Sequence, residues 1–181
     1  LSEQFLNEIK DLPQKNLAVE VLRKLLNDEI KSKFRKNIVQ ERSFIEMLEE
    51  TVRKYQNRAI EAAQVIEELI TLAQELRNAA SRGVNLGLNE DEVAFYDALE
   101  VNDSAVKVLG DDCLRKIAQE LVNAVRKSVT IDWNLRENAR AQIRVMVKRI
   151  LRKYGYPPDM QEKATQTVLE QAEVLCKDWA I

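Results

Sequence analysis

Histidine is absent from the 181 residues, glycine and proline occur four and three times, and there are two cysteines. Each shortage excludes something. Without imidazole the chain can build no Ser-His-Asp or Cys-His nucleophile pair, no histidine metal site and no acid or base that titrates unaided near neutrality. Cys113 and Cys176 lie far apart with no Cys-x-x-Cys spacing, so they read as two reduced, mostly buried thiols. Few glycines and prolines leave few places for turns. No apolar run approaches the roughly 18 residues that would span a bilayer, and no charged-then-apolar leader precedes the first helical pattern, so the expectation is a cytoplasmic protein with no membrane partner. No GxxxxGK[ST] loop is present to cradle nucleotide phosphates. The chain starts at Leu1 within a helix-like pattern and reads as a piece of a longer polypeptide.

What is abundant is the material of packed helices. Apolar residues make up 45% and charged residues 32%, and the apolar positions recur at three- and four-residue spacing almost throughout. A short helix is expected from Ser2 to about Asp11, interrupted at Leu12-Pro13, and another from Asn16 with Leu17, Val21, Leu22, Leu25 and Leu26 on one face. The basic stretch at 31 to 37 follows. Ser43 and Glu46 form a capping-box pattern that predicts the next start, with Phe44, Leu48, Val52 and Tyr55 on its stripe. After a pause or run-through at 56–58, a long helix is expected from Ala59 to about Arg82, ended by Gly83 and Gly87. Asn89 to Glu92 opens a further helix with acids in its first turn. A short element from Asp103 to Leu109 ends at Gly110, and Asp111 or Asp112 caps a helix to about Val129. Thr130 to Trp133 reads as a loop, Asn134 to Glu137 as another capping box, and Gly155 to Pro158 as the stop of the helix it starts; Asp159 opens the last, to about Trp179. The fold class expected is all-α, a multi-helix bundle of about seven to nine helices with no significant sheet. No repeat of 20 to 50 residues appears.

The net charge of −2 conceals a dipole. Between Arg115 and Lys153 eleven basic residues face three acids, and the rest of the chain carries the compensating negative excess. Five of these cations, Arg136, Arg140, Arg144, Lys148 and Arg152, follow one another at four-residue spacing, which stacks them along a drifting ridge of one helix. Arg149 and Lys153 lie beside it, and no acid occurs between Asn138 and Pro158. Such a ridge either pairs with carboxylates on neighbouring helices or meets an anionic partner, duplex DNA or an acidic protein face. Lys31, Lys33, Arg35 and Lys36 around Phe34 form a weaker basic-plus-aromatic candidate. Trp133 and Trp179 read as packing anchors. Glu8-Ile9-Lys10 and Glu29-Ile30-Lys31 spell the Glu-x-Lys of metal-dependent nucleases, but in a helix the first and third side chains point about 200° apart, so no catalytic or metal-binding role is assigned to them.

Three stretches stand out: residues 35–70, residues 86–99, LGLNEDEVAFYDAL, and residues 129–173; within them NRAIEAAQVIEELI and TIDW with RENARAQIRVMVKRILRKYGYPPD are too long and particular for generic helices. They resemble the C-terminal region of the restriction (R) subunit of type I restriction-modification enzymes. The resemblance implies a parent that is an ATP-dependent DNA translocase and nuclease, acting with methyltransferase and specificity subunits. It implies that this segment is the non-catalytic helical domain after the motor, which docks the subunit on that core. ATP and Mg then belong to other domains of the parent; no catalytic, cofactor-binding or metal residue carries over to this chain, and the chain alone is expected not to be an enzyme. Residues 1–12 would be a linker or leading helix from the motor, and 13–181 the C-terminal helical domain. The alternative is a DNA-contacting helical module that guides duplex DNA near the motor.

Overall fold

A computed structural model describes residues 1–128, 137–158 and 161–179. Among them the chain is all-α, with eight helices and no strand. They are α1 (Glu3–Asp11), α2 (Lys15–Lys33), α3 (Ile38–Gln56), α4 (Ala62–Leu86), α5 (Glu90–Glu100), α6 (Asp103–Ser128), α7 (Glu137–Lys153) and α8 (Gln161–Trp179). None of the described helices is long and apolar enough to cross a membrane. The residues group into two compact units: 1–35 with 40–82, and 36–39 with 83–181.

The first unit is built on stripes that bury one face of each helix. Ser2 caps α1 through its side chain, and Leu6 and Ile9 enter the core. On α2 the buried positions are Ala18, Val19, Leu22, Leu26 and Ile30, while Leu17 is 56% exposed. The centre of the stripe therefore sits one position on from the one the spacing suggests. Phe34, Phe44, Leu48 and Val52 meet Val65, Ile66, Leu69, Leu72 and Leu76 of α4 in the same cluster. The chain pauses at 57–61, where Arg58 takes a positive φ of 55°, and α4 starts at Ala62 rather than Ala59.

Two further helix boundaries differ from the expected ones. The third helix begins at Ile38, not at Ser43, which lies exposed inside it. The long helix α4 also passes through Gly83 and ends at Leu86. Gly83 serves close packing: an added Cβ would lie 3.0 Å from Val93 Cγ2 and 3.1 Å from the Leu88 carbonyl oxygen. Gly87 ends the helix, its φ of 66° allowing Leu88 N–H to donate to the Gly83 carbonyl and its own N–H to the Val84 carbonyl.

In the second unit α5 is the central element, with Phe95, Tyr96, Ala98 and Leu99 almost wholly buried between α6 and α8. Its start is the expected one, as Asn89 and Glu92 close a reciprocal capping box. Helix α6 is two helices joined at Gly110 (φ 72°, ψ 167°), close to the expected break. Helix α7 packs against both α6 and α8 through Ile143, Val147, Ile150 and Leu151. It ends at the Gly155 turn, where Tyr156 N–H donates to the Leu151 carbonyl at 2.9 Å and the Tyr156 hydroxyl reaches the Leu99 carbonyl at 2.9 Å.

Candidate functional site: the cationic helix α7

A four-residue step advances about 40° around a helix. A row so spaced cannot face one way for its whole length. Beginning at Arg140, the ridge turns by about 120° before it reaches Arg152, and its members meet different neighbours as a result. Arg136 lies outside the described residues. Arg140 Nε stands 2.6 Å from Glu173 Oε1, an ion contact without hydrogen-bond alignment. Arg144 pairs with Glu162, and Lys148 Nζ reaches the other oxygen of the same carboxylate at 2.9 Å. Both acids are on α8. Arg152, at the end of the drift, is exposed and has no ion-pair partner among the described residues.

The opposite flank of α7 is neutralised from α6. Lys153 Nζ donates to both oxygens of Glu120, at 2.9 and 3.0 Å, and the Tyr154 hydroxyl donates to Glu120 Oε2 at 2.6 Å. The hydrogen bond from Tyr154, then that from Lys153, holds the Glu120 carboxyl below its ordinary range. The same contacts raise the Tyr154 phenol and the Lys153 ammonium above theirs. Exposed pairs of this kind contribute little to stability. Their larger effect is on the field, because α7 carries no acid of its own beyond Asn138 to screen its cations.

The remaining face of α7 points away from the core. It presents Ala141, Val145, Arg149 and Arg152, with Val145 69% exposed. Arg149, like Arg152, has no ion-pair partner among the described residues.

The weaker basic candidates are placed differently. Lys31, Lys33 and Arg35 are exposed in the first unit, with Lys33 3.2 Å from Glu29 one turn back. Lys36 belongs to the second unit, held between Asp178 at 3.0 Å and Glu90 at 3.3 Å, and the hydrogen bond to Asp178 raises its ammonium above the ordinary lysine value. Phe34 is buried, its ring parallel to Phe44 at 5.3 Å between centroids, so its face is not offered to a base. Trp133 lies outside the described residues. Trp179 is an anchor, its Nε1 donating to the buried Asp91 and its ring beneath the Arg126 guanidinium at 4.8 Å.

The acids that complete α7 are the part that residue-by-residue reading missed, and a signal for them exists. Glu162 and Glu173 are eleven residues apart, which places them on one face of α8 three turns apart. That spacing matches the stretch of α7 they serve. Val145 was equally findable, since it falls opposite the Ile143, Val147 and Ile150 stripe on a helical wheel.

Comparison with known proteins agrees with the resemblance. The model of the family described as type I restriction enzyme HindI endonuclease subunit-like, C-terminal, matches residues 1–178. The chain is 42% identical over 178 residues to the type I restriction enzyme HindI endonuclease subunit of Haemophilus influenzae, covering 98% of this chain and 17% of that protein. It is 38% identical over 156 residues to the putative type I restriction enzyme MjaIXP endonuclease subunit of Methanocaldococcus jannaschii, covering 86% of this chain and 15% of that protein. The chain thus spans less than a fifth of the length of these relatives. No solved structure matches it.

Proposed function

Because this chain belongs to the family of C-terminal domains of type I restriction enzyme endonuclease subunits, we propose that it is a non-catalytic assembly domain. Its task is to dock the ATP-dependent translocase and nuclease of its parent onto the methyltransferase and specificity subunits. ATP and Mg act in the motor and nuclease parts of the parent, and the complex works on DNA in the cytoplasm.

The observation that carries this choice over a DNA track is the pairing of Arg140, Arg144 and Lys148 with Glu173 and Glu162. A phosphate approaching that side of α7 must displace a carboxylate already in place and then lie beside it. A track that follows duplex DNA needs several cations free together, since each phosphate contact contributes one released counterion. Here the basic residues of α7 are largely engaged in joining it to α6 and α8.

The test is to mix the isolated domain with the methyltransferase–specificity complex and follow co-elution, with the full-length endonuclease subunit as reference. Co-elution of the domain supports the assembly role. Absence of binding under conditions where the full subunit binds rejects it. Duplex binding by the domain with a steep salt dependence, and no binding to the complex, would favour the DNA-guiding module instead.

A further inference from the structure

Helix α7 has four sides, and three are spoken for. Its apolar side is in the core, and its flanks are joined to α8 through Arg140, Arg144 and Lys148 and to α6 through Lys153. At about 100° per residue, Ala141, Val145 and Arg152 fall within a narrow sector opposite the core, with Arg149 next to them. All four are exposed, and the two arginines have no ion-pair partner among the described residues. An exposed valine set between a small residue and two exposed guanidinium groups is the composition of a protein-contact centre, where arginine is enriched and apolar groups are shielded by a polar rim.

Resting on the assembly role above, we propose that this outward face of α7 is the docking surface, and that its occupant is an acidic helix or loop of the partner protein. The complementary segment places carboxylates against Arg149 and Arg152 and an apolar side chain against Val145 and Ala141. Charge complementarity selects the acidic partner. Magnitude selects protein over duplex DNA: two guanidinium groups without an ion-pair partner among the described residues support a salt slope of only about 1.8, against about 5–9 for a protein that makes roughly 6–10 phosphate contacts. A phosphate backbone also gives Val145 nothing to pack against.

The test uses the full-length endonuclease subunit and its methyltransferase–specificity complex. Three variants are compared with wild type by surface plasmon resonance at two salt concentrations: Val145→Asp, Arg149→Glu with Arg152→Glu, and the milder Arg149→Ala with Arg152→Ala. The charge-reversed pair is expected to weaken binding at least tenfold and to flatten its salt dependence, with the alanine pair intermediate and the helical circular dichroism of all three unchanged. Full affinity in the alanine and charge-reversed pairs overturns the assignment. A truncated subunit lacking this domain separates the two levels of argument. If truncation leaves binding intact, the assembly role itself fails; if truncation abolishes binding while the face variants bind normally, only the surface is misassigned. Site-resolved maleimide labelling of Val145→Cys, read by mass spectrometry, gives a second measurement. Labelling that is open in the free subunit and slowed by the complex supports the proposal. Labelling already blocked in the free subunit means that the parent's own chain covers the face, and duplex affinity lost with complex binding retained means that DNA does; either overturns it.

Discussion

The indole Nε1 of Trp179, near the end of α8, donates a hydrogen bond at 3.2 Å to Asp91 Oδ2, in the first turn of α5. Arg126 of α6 donates to the same oxygen at 2.6 Å while its guanidinium covers the indole ring. One buried carboxylate thus ties three helices of the second unit together, and it also sits at the positive end of α5. Replacing Asp91 by Ala removes a charge-assisted acceptor from both donors and is expected to cost about 2–3 kcal/mol. Asp91→Asn, which keeps an acceptor oxygen, should cost less, and Trp179→Phe about 1 kcal/mol. Urea unfolding followed by circular dichroism ranks the three. Equal stability of Asp91→Ala and wild type would show that the tie contributes nothing.

Glu120 makes acid stability depend on Tyr154. Its folded carboxyl is held below the ordinary range, so the stability it contributes is present above the unfolded value and lost as pH falls through the folded one. Tyr154→Phe removes the largest cause of that depression. The variant should be less stable than wild type at neutral pH, and the difference should shrink as pH falls through the carboxylate range. Unfolding midpoints collected from pH 7 down to pH 3 test this, and a gap that widens in acid contradicts it. On the alkaline side the raised phenol acts in the opposite sense, its contribution fading as pH rises through the folded Tyr154 value.

The two thiols should separate cleanly by reactivity. Burial, helped by the negative charge of Glu173, pushes the Cys176 thiol up to about 12. At pH 8 only about one molecule in ten thousand then carries the reactive thiolate. Cys113 is half-buried. Iodoacetamide at pH 8 is expected to modify Cys113 first and Cys176 only on unfolding, so one equivalent reacts in the native protein and two in denaturant. Rapid native labelling of Cys176 would mean that the second unit opens far more readily than its packing implies.

How much of this was legible beforehand follows the range of each interaction. The helix start at Asn89 and the Gly155 stop are local, made by residues a few positions apart, and pattern reading places both correctly, although it finds the start from the acids of the first turn and not from the capping box that Asn89 forms with Glu92. The start of α3 is not local. The Ile38 N–H donates at 3.0 Å to the side-chain oxygen of Gln171, whose amide in turn donates to the Lys36 carbonyl. Buried Asn37 donates to Asp97 at 2.7 Å. These partners are 60 to 135 positions away, so the Ser43 motif won on local chemistry and lost to tertiary capping. Gly83 misled for a similar reason, since a glycine needed for closeness to Val93 looks in sequence like one needed for a turn. The ridge on α7 was legible as a row, but its division between α8 and solvent, like the pairing of the adjacent Lys153 with α6, depends on neighbours that no spacing within α7 reveals.

Gly110 occupies a backbone region open to essentially no other residue, with φ 72° and ψ 167°. Space is not the constraint, as nothing lies within 4 Å of an added Cβ. Gly110→Ala should therefore destabilise through backbone strain alone, by about 1–3 kcal/mol. If the kink instead straightens in the variant, the loss would be smaller and α5 would have to repack. Comparing the denaturation midpoint with the near-ultraviolet circular dichroism from Tyr96 and Trp179 separates the two outcomes.

The neutralisation of the α7 ridge can be reversed from α8. Glu162→Gln together with Glu173→Gln keeps side-chain shape while removing the charges that hold Arg140, Arg144 and Lys148. Because exposed ion pairs contribute about 0–1 kcal/mol each, the doubly substituted domain should remain folded with a small loss of stability. Its affinity for duplex DNA should rise, and the slope of log affinity against log salt should steepen by about 0.9 for each cation that gains a phosphate, up to three. Binding to the methyltransferase–specificity complex should change little, because Val145, Arg149 and Arg152 are untouched. Fluorescence anisotropy with a labelled duplex over 50 to 200 mM salt, roughly the range in which counterion release is well resolved, reads the slope directly. An unaltered slope would show that the carboxylates of α8 are not what keeps this ridge from DNA, and the grounds for preferring protein docking over a DNA track would have to be sought elsewhere.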